Sequence, residues 1–213
     1  MEDVAPIHLA AWFGLTEVIE RLMIQGKYST PIVKENGHDG RNTIHLAALN
    51  GHLETVKYLA SFTDTPNQGD NIGITPIYTA IKTGHMDIVQ YLAGLTDKYN
   101  PSALDIHFAV SYSHLDIVKF LVDFADEPNI HGISTLIYLA AIWGDLDMVK
   151  FLVKFTDTHS APNGNGIGIT PIQATKLNKQ FEVVKFLEEH CKVWLQLVTI
   201  NVIFILLLCL KSE

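Results

Sequence analysis

Repetition constrains this chain more than any other feature: the stretch 74–95 occurs six times, with varying fidelity. In it Thr75-Pro76 opens a short apolar helix, Gly84-His85 interrupts it, and Met86 to Leu92 begins a second helix. The isoleucine that follows the Thr-Pro position serves as a reference. It falls at Ile7, Ile44, Ile77, Ile106, Ile137 and Ile172, at intervals of 37, 33, 29, 31 and 35 residues. With a period near 33, no copy can bury its apolar face alone, so neighbours must stack to make a core.

The other positions keep step with that reference. Three residues on stand Ala10, Ala47, Ala80, Ala109 and Ala140, with Thr175 in the last copy. Seven on, the chain turns at Gly14, Gly51, Gly84, Ser113, Gly144 and Lys179. Ten on come Glu17, Glu54, Asp87, Asp116, Asp147 and Glu182, and Leu22, Leu59, Leu92, Leu121, Leu152 and Leu187 close the second helix. Each type has a reason to be there. Pro suits a first helical turn, where its missing N–H has no partner to lose, and Thr beside it caps. Ala lets two helices approach, Gly frees the backbone to turn, and a carboxylate in the first turn of the second helix complements its dipole.

Over residues 4–190 the sequence resembles the ankyrin repeat family. The resemblance rests on Ile74-Thr75-Pro76-Ile77-Tyr78, on Thr170-Pro171-Ile172, and on Ile44-His45-Leu46-Ala47-Ala48 followed by Gly51-His52. It implies an all-α repeat solenoid of stacked antiparallel helix pairs with β-hairpin or loop fingers, in a domain spanning 1–190. The repeats are expected at about 4–36, 39–70, 71–101, 102–130, 131–163 and 166–190. The link Gln25 to Asp39 is long, which predicts an enlarged first finger. The link Thr96 to Ala103 is short and lacks both Gly and Thr-Pro, which predicts a truncated one.

Composition narrows the function. A formal net charge of -8 without a Lys/Arg cluster argues against nucleic-acid binding. The two cysteines, Cys191 and Cys209, leave 190 residues without one, which fits a reducing, cytoplasmic compartment. Of ten histidines, His8, His45 and His107 share one repeat position, and His52, His85 and His114 share another. A ladder spaces such residues one repeat apart, whereas a metal site needs them converging on a point. Their expected role is structural. The run Gly164-Asn165-Gly166-Ile167-Gly168 lacks the spacing and the lysine of a phosphate loop and reads as a hairpin tip. Nothing in the sequence points to catalysis, a cofactor or a metal.

What stands out is the pair of residues before each turn: Trp12-Phe13, Leu49-Asn50, Lys82-Thr83, Ser111-Tyr112, Ile142-Trp143 and Leu177-Asn178. The resemblance places them toward a concave face, and rigid aromatics on such a face are usual anchors of an interface. The expected function is a non-catalytic, monomeric scaffold that binds an unidentified partner protein. Its contacts would be Trp12, Phe13, Leu49, Lys82, Tyr112, Ile142 and Trp143, with Ile72, Ile74, Ile167 and Ile169 on the fingers. Packing of these side chains on the next repeat is the competing reading. Asn71, His131, Ile133 and Asn165 complete the finger-tip set.

The chain then changes character. From Val193 to Leu210, fifteen of eighteen residues are apolar and none is charged. As a helix this segment would span ~27 Å, enough for a thin bilayer core. Trp194, Ile200, Phe204, Leu207 and Leu210 would be its anchoring residues. Three readings stand open: a tail anchor that holds the scaffold and its partner at a membrane, a cap docked on the last repeat, or a terminus foreign to the array.

Overall fold

Helices account for all regular structure in the computed structural model, which describes residues 5–32, 40–95, 99–124, 133–155 and 170–190; no strand occurs among them. The chain forms two compact units, Met1–Asp126 and Glu127–Glu213. The first holds four helix pairs: α1 (Pro6–Trp12) with α2 (Thr16–Ile24), α3 (Thr43–Leu49) with α4 (Leu53–Ala60), α5 (Pro76–Thr83) with α6 (Met86–Gly94), and α7 (Ala103–Ser111) with α8 (Leu115–Phe124). The second holds α9 (Ile133–Trp143) with α10 (Leu146–Leu152), a 3-10 turn at Val153–Phe155, then α11 (Pro171–Leu177) and α12 (181–190).

Helix starts follow the local chemistry of the Thr-Pro position. Thr75 Oγ1 accepts the Tyr78 N–H at 3.2 Å while Pro76 occupies the first turn of α5. Thr170 makes a reciprocal box with Gln173 before α11, its N–H donating to Gln173 Oε1 at 2.9 Å. Where Thr-Pro is missing, other residues substitute. Asn42 Oδ1 accepts the N–H groups of Ile44 and His45 to start α3. Each of these satisfies backbone donors that have no partner inside the helix.

In the first unit, first helices stack on first helices, α1 on α3 on α5 on α7, and second helices on second helices with sparser contact. Ala10, Ala47, Ala80 and Ala109 are buried there, which explains the closer approach of the first row. Branched pairs such as Ile88-Val89 and Ile117-Val118 fill the space between the rows. The second unit repeats the plan with α9 packed on α10 and α11.

The described parts of the links are tied by different residues. In the first, the Thr43 hydroxyl donates to the Pro31 carbonyl at 2.6 Å; residues 33–39 lie outside the described residues. The finger before α5 takes the loop form. Asp70 closes it, with Oδ1 accepting from Ile72 N–H at 3.0 Å and Ile74 N–H at 2.9 Å. At the end of the short third link a second carboxylate gathers the donors. Asp105 Oδ2 accepts from the Tyr99 hydroxyl at 3.1 Å and from the Ser102 N–H and hydroxyl, both at 2.9 Å.

Burial, and then the Asp105 carboxylate beside it, push the Tyr99 phenol well above its ordinary range. The sign of the linkage follows. The folded state holds this proton to higher pH than the unfolded chain, which releases it near pH 10. Its contribution is complete below about pH 10 and is lost as pH rises further. Urea unfolding at about pH 8 and about pH 10.5 should therefore show a drop that Tyr99→Phe flattens. An equal drop in both proteins would refute the assignment.

Candidate protein-binding surface

The residues before the turns owe their setting to the turns themselves. Gly84 has φ 81°, a left-handed conformation that a residue with a Cβ rarely adopts. Its bare α-carbon also lets the His114 ring of the next repeat sit where a Cβ would lie only 2.5 Å from that ring. His52 is placed on Gly14, and His85 on Gly51, in the same way. The ring then reaches back to the residue before the turn. His52 Nε2 donates to the Trp12 carbonyl at 2.9 Å, and His114 Nε2 to the Lys82 carbonyl at 3.3 Å. In the second unit the Gln180 side chain takes this place over Gly144.

This arrangement holds the backbone at Trp12 and at Lys82, and the aromatic side chains before the turns lie outside. Trp12 is 41 % exposed, Phe13 63 %, Tyr112 46 % and, in the second unit, Trp143 66 %. Lys82 is also exposed, whereas Leu49 and Ile142 are half-buried and so offer less. A fixed backbone under an exposed aromatic side chain reduces the ordering that binding would require.

Between α5 and α7 the aromatic residues join into one cluster. Tyr78 meets Phe108 edge to face at 4.9 Å, and Phe108 stacks on Tyr112 at 6.5 Å. Lys82 Nζ lies 5.9 Å from the centre of the Tyr112 ring, and His114 stacks on its other neighbour side at 6.4 Å. Burial first, then Tyr112 and Asp105, raise the Tyr78 phenol above its ordinary range. Edge-to-face and cation–π contacts of this kind contribute about 0.5–1 kcal/mol each, so Tyr112 is steadied by its neighbours while staying accessible.

The finger residues separate. Ile72 is exposed at the loop tip. Ile74 is committed to the fold: its N–H is held by Asp70 and its carbonyl accepts from His45 Nε2 at 2.8 Å. A carbonyl only accepts, so His45 Nε2 carries a proton; Nδ1 lies 3.2 Å from the Asn42 N–H and 2.8 Å from Asn42 Oδ1. Asn71 packs against Gly40 at the base of the preceding repeat. Ile133 begins α9 and is half-buried. His131, Asn165, Ile167 and Ile169 lie outside the described residues, as do Trp194, Ile200, Phe204, Leu207 and Leu210.

Among the described residues, no group of three or more His, Cys, Asp or Glu side chains is placed to hold a metal ion. Nor is any helix among them long and apolar enough to cross a membrane; the segment 193–210 is not part of that set.

A second aromatic feature lies on the outer helices, where residues four apart pair within one repeat. Tyr58 meets Phe62 at 5.1 Å, Phe120 meets Phe124 at 5.2 Å, and Phe151 meets Phe155 at 5.1 Å. Phe62, Leu95 and Phe124 occupy one repeat position and are all exposed. Their four-residue spacing is readable in the sequence, but attention to the pre-turn pairs passes over it.

The family model for ankyrin repeats, built of three copies, matches residues 7–105 and again residues 106–196. The chain belongs to the ankyrin repeat family. The crystal structure of the human ASB11 ankyrin repeat domain is similar to this ankyrin repeat protein, with a TM-score of 0.70 and 24 % sequence identity. The match covers 87 % of this chain and 83 % of that one, and it shows the shared fold. No protein of curated function matches the chain. Ankyrin repeats in general mediate protein–protein interaction, and this chain carries the repeat fold throughout the described residues.

Proposed function

We propose that this ankyrin repeat protein is a non-catalytic scaffold that binds a partner protein through its pre-turn residues. Trp12, Phe13, Lys82 and Tyr112 would act in the first unit, with Trp143 in the second. The observation that carries the reading is the exposure of four large aromatic side chains just before the turns, with the Trp12 carbonyl held by His52. Aromatic side chains are enriched among the anchors of protein interfaces. Leu49, Ile142 and Ile72 would form the rim, and Ile74 would support the finger from inside.

The test begins with proximity labelling from the full chain in its native cell, which names candidates. Their binding to purified full chain is then compared with that of the Tyr112→Ala/Trp143→Ala variant. Binding should weaken by more than about tenfold, since buried interface aromatics typically contribute 2 kcal/mol or more. Undiminished binding by a double variant with an unchanged circular dichroism spectrum would remove these residues from the surface.

A second reading rests on the sequence of 193–210 alone: eighteen uncharged residues between Lys192 and Lys211. They would anchor the cytosolic scaffold in a membrane and so hold its partner there. Cell fractionation of the full chain decides it, because recovery in the soluble fraction excludes the anchor.

A further inference from the structure

The two ends of the array are unlike its interior in a way that points to each other. Count positions from the reference isoleucine, so that Thr16 stands at +9 and Val18 at +11. Position +11 is sealed in the interior, with Thr55 and Ile117 at 1 % exposure or less and Ile88 at 0 %. Val18, the same position in the first repeat, is 41 % exposed. Position +2 shows a weaker form of the same contrast: Leu46 and Thr79 are buried and Phe108 and Leu139 half-buried, whereas Leu9 is 48 % exposed. Leu15, where later repeats place the turn histidine, is exposed, and Leu22 is half-buried where Leu59, Leu92 and Leu121 are sealed. The first repeat thus presents the kind of apolar face that the repeats after it bury.

The last repeat leaves open the opposite face. The reference isoleucines Ile7, Ile44, Ile77 and Ile137 are buried, but Ile172 is half-buried. At +12, Ile19, Val56, Val89 and Val149 are all at 0 %, while Val184 is half-buried. Phe181, at +9, is 75 % exposed. The interior shows what position +9 meets. Thr16 Oγ1 lies 2.8 Å from Thr55 Oγ1, so +9 of one repeat contacts +11 of the next.

We infer that the chain stacks head to tail on a second copy of itself. The first repeat of one copy seats on the last repeat of the other, with Val18 against Phe181. The interface would reproduce, between molecules, the one that joins successive repeats within the first unit. It is weaker than an internal joint in one respect. Lys179 holds the turn position of the last repeat, so Leu15 cannot approach it as closely as His52 approaches Gly14. Because each end is used once, association is heterologous and continues beyond two copies. This departs from the monomer expected from sequence, and it is independent of the pre-turn surface.

Sedimentation velocity of the full chain in neutral detergent micelles, which keep the 193–210 segment dispersed, supplies the test. The wild type should form dimers and longer species as concentration rises. Val18→Glu and Phe181→Glu should each weaken this by more than about tenfold, because either buries a charge against an apolar surface. Mixing the two variants should restore a pair and nothing longer, since each contributes one intact end. A complementary readout uses Cys191→Ser/Cys209→Ser chains carrying Val18→Cys on one tag and Phe181→Cys on another. Oxidation should link the two tags, and Lys150→Cys in place of Val18→Cys should not. A wild type that stays monomeric overturns the proposal. So do variants that associate undiminished, which would follow if the chain's own 193–210 segment covered Phe181, and so does a mixture of variants that yields no pair.

Discussion

Gly84→Ala should lower the stability of the first unit by about 2–4 kcal/mol, several times the cost of an ordinary surface substitution. Two effects combine. A residue with a Cβ at φ 81° loses about 1–2 kcal/mol from backbone strain alone. The new methyl would also lie 2.5 Å from His114 Cε1, so the ring must leave, and its hydrogen bond to the Lys82 carbonyl goes with it. Gly26 is the control. It has φ 65° and nothing within 4 Å of a Cβ, so Gly26→Ala carries the strain without the collision. Thermal unfolding followed by circular dichroism should separate the two variants by several degrees. A double-mutant cycle with His114→Ala should show that most of the excess depends on the ring. Equal losses for Gly84→Ala and Gly26→Ala would mean that the ring contributes nothing.

Asp70→Ala should cost about 3 kcal/mol and loosen the finger before α5. The carboxylate side chain is fully buried, and Arg41 Nε stands 3.7 Å from Oδ2, too far for a hydrogen bond but close enough for an ion pair. Truncation leaves two N–H groups without their acceptor and removes the counter-charge of a partly covered guanidinium. Asp70→Asn keeps Oδ1 for Ile72 and Ile74 and should cost about half as much. The damage should travel, because the Ile74 carbonyl also holds His45, which belongs to the cap of α3. Amide exchange should accelerate at Ile72 and Ile74 first and at Ile44 and His45 next. Stability within about 0.5 kcal/mol of wild type, with unchanged exchange, would show that the finger closes without Asp70.

The parts of this fold that depend on residues close in sequence were legible there. Thr75-Pro76, Gly84 and Asp87 each act within one or two turns of helix, so their types alone state their roles. The helix pairs and the turn glycines follow from that short range, whereas the histidines at 45, 52 and 114, which each bond into a neighbouring repeat, were legible through the repeat register. The aromatic cluster was not legible. Tyr78 stands in a position that holds histidine in the first, second and fourth repeats, and Phe108 in one that holds Leu46 and Thr79 in the two repeats before it, so register alone does not pair them. Their meeting depends on how α7 packs on α5. Of the proposed surface, Lys82 and Tyr112 were picked out singly, but their contact across 5.9 Å required the packing of two repeats. Asp105 likewise reads as an ordinary first-turn acid until the fold brings Tyr99 to it.

The seating of each turn histidine on the preceding glycine has a consequence for how such arrays can be recombined. A repeat carries the socket for its successor and the plug for its predecessor, so compatibility is decided at the joint. The second and third repeats, with Gly51 and His52 and with Gly84 and His85, bear matching halves and should be duplicable or exchangeable as cassettes cut inside the fingers. The sixth, which presents Gln180 to Gly144, is keyed to a different joint. Transplanted behind Gly51, it would bring an amide where the interior joints use an imidazole. Shuffling in this lineage is therefore expected to respect plug and socket before it respects repeat length.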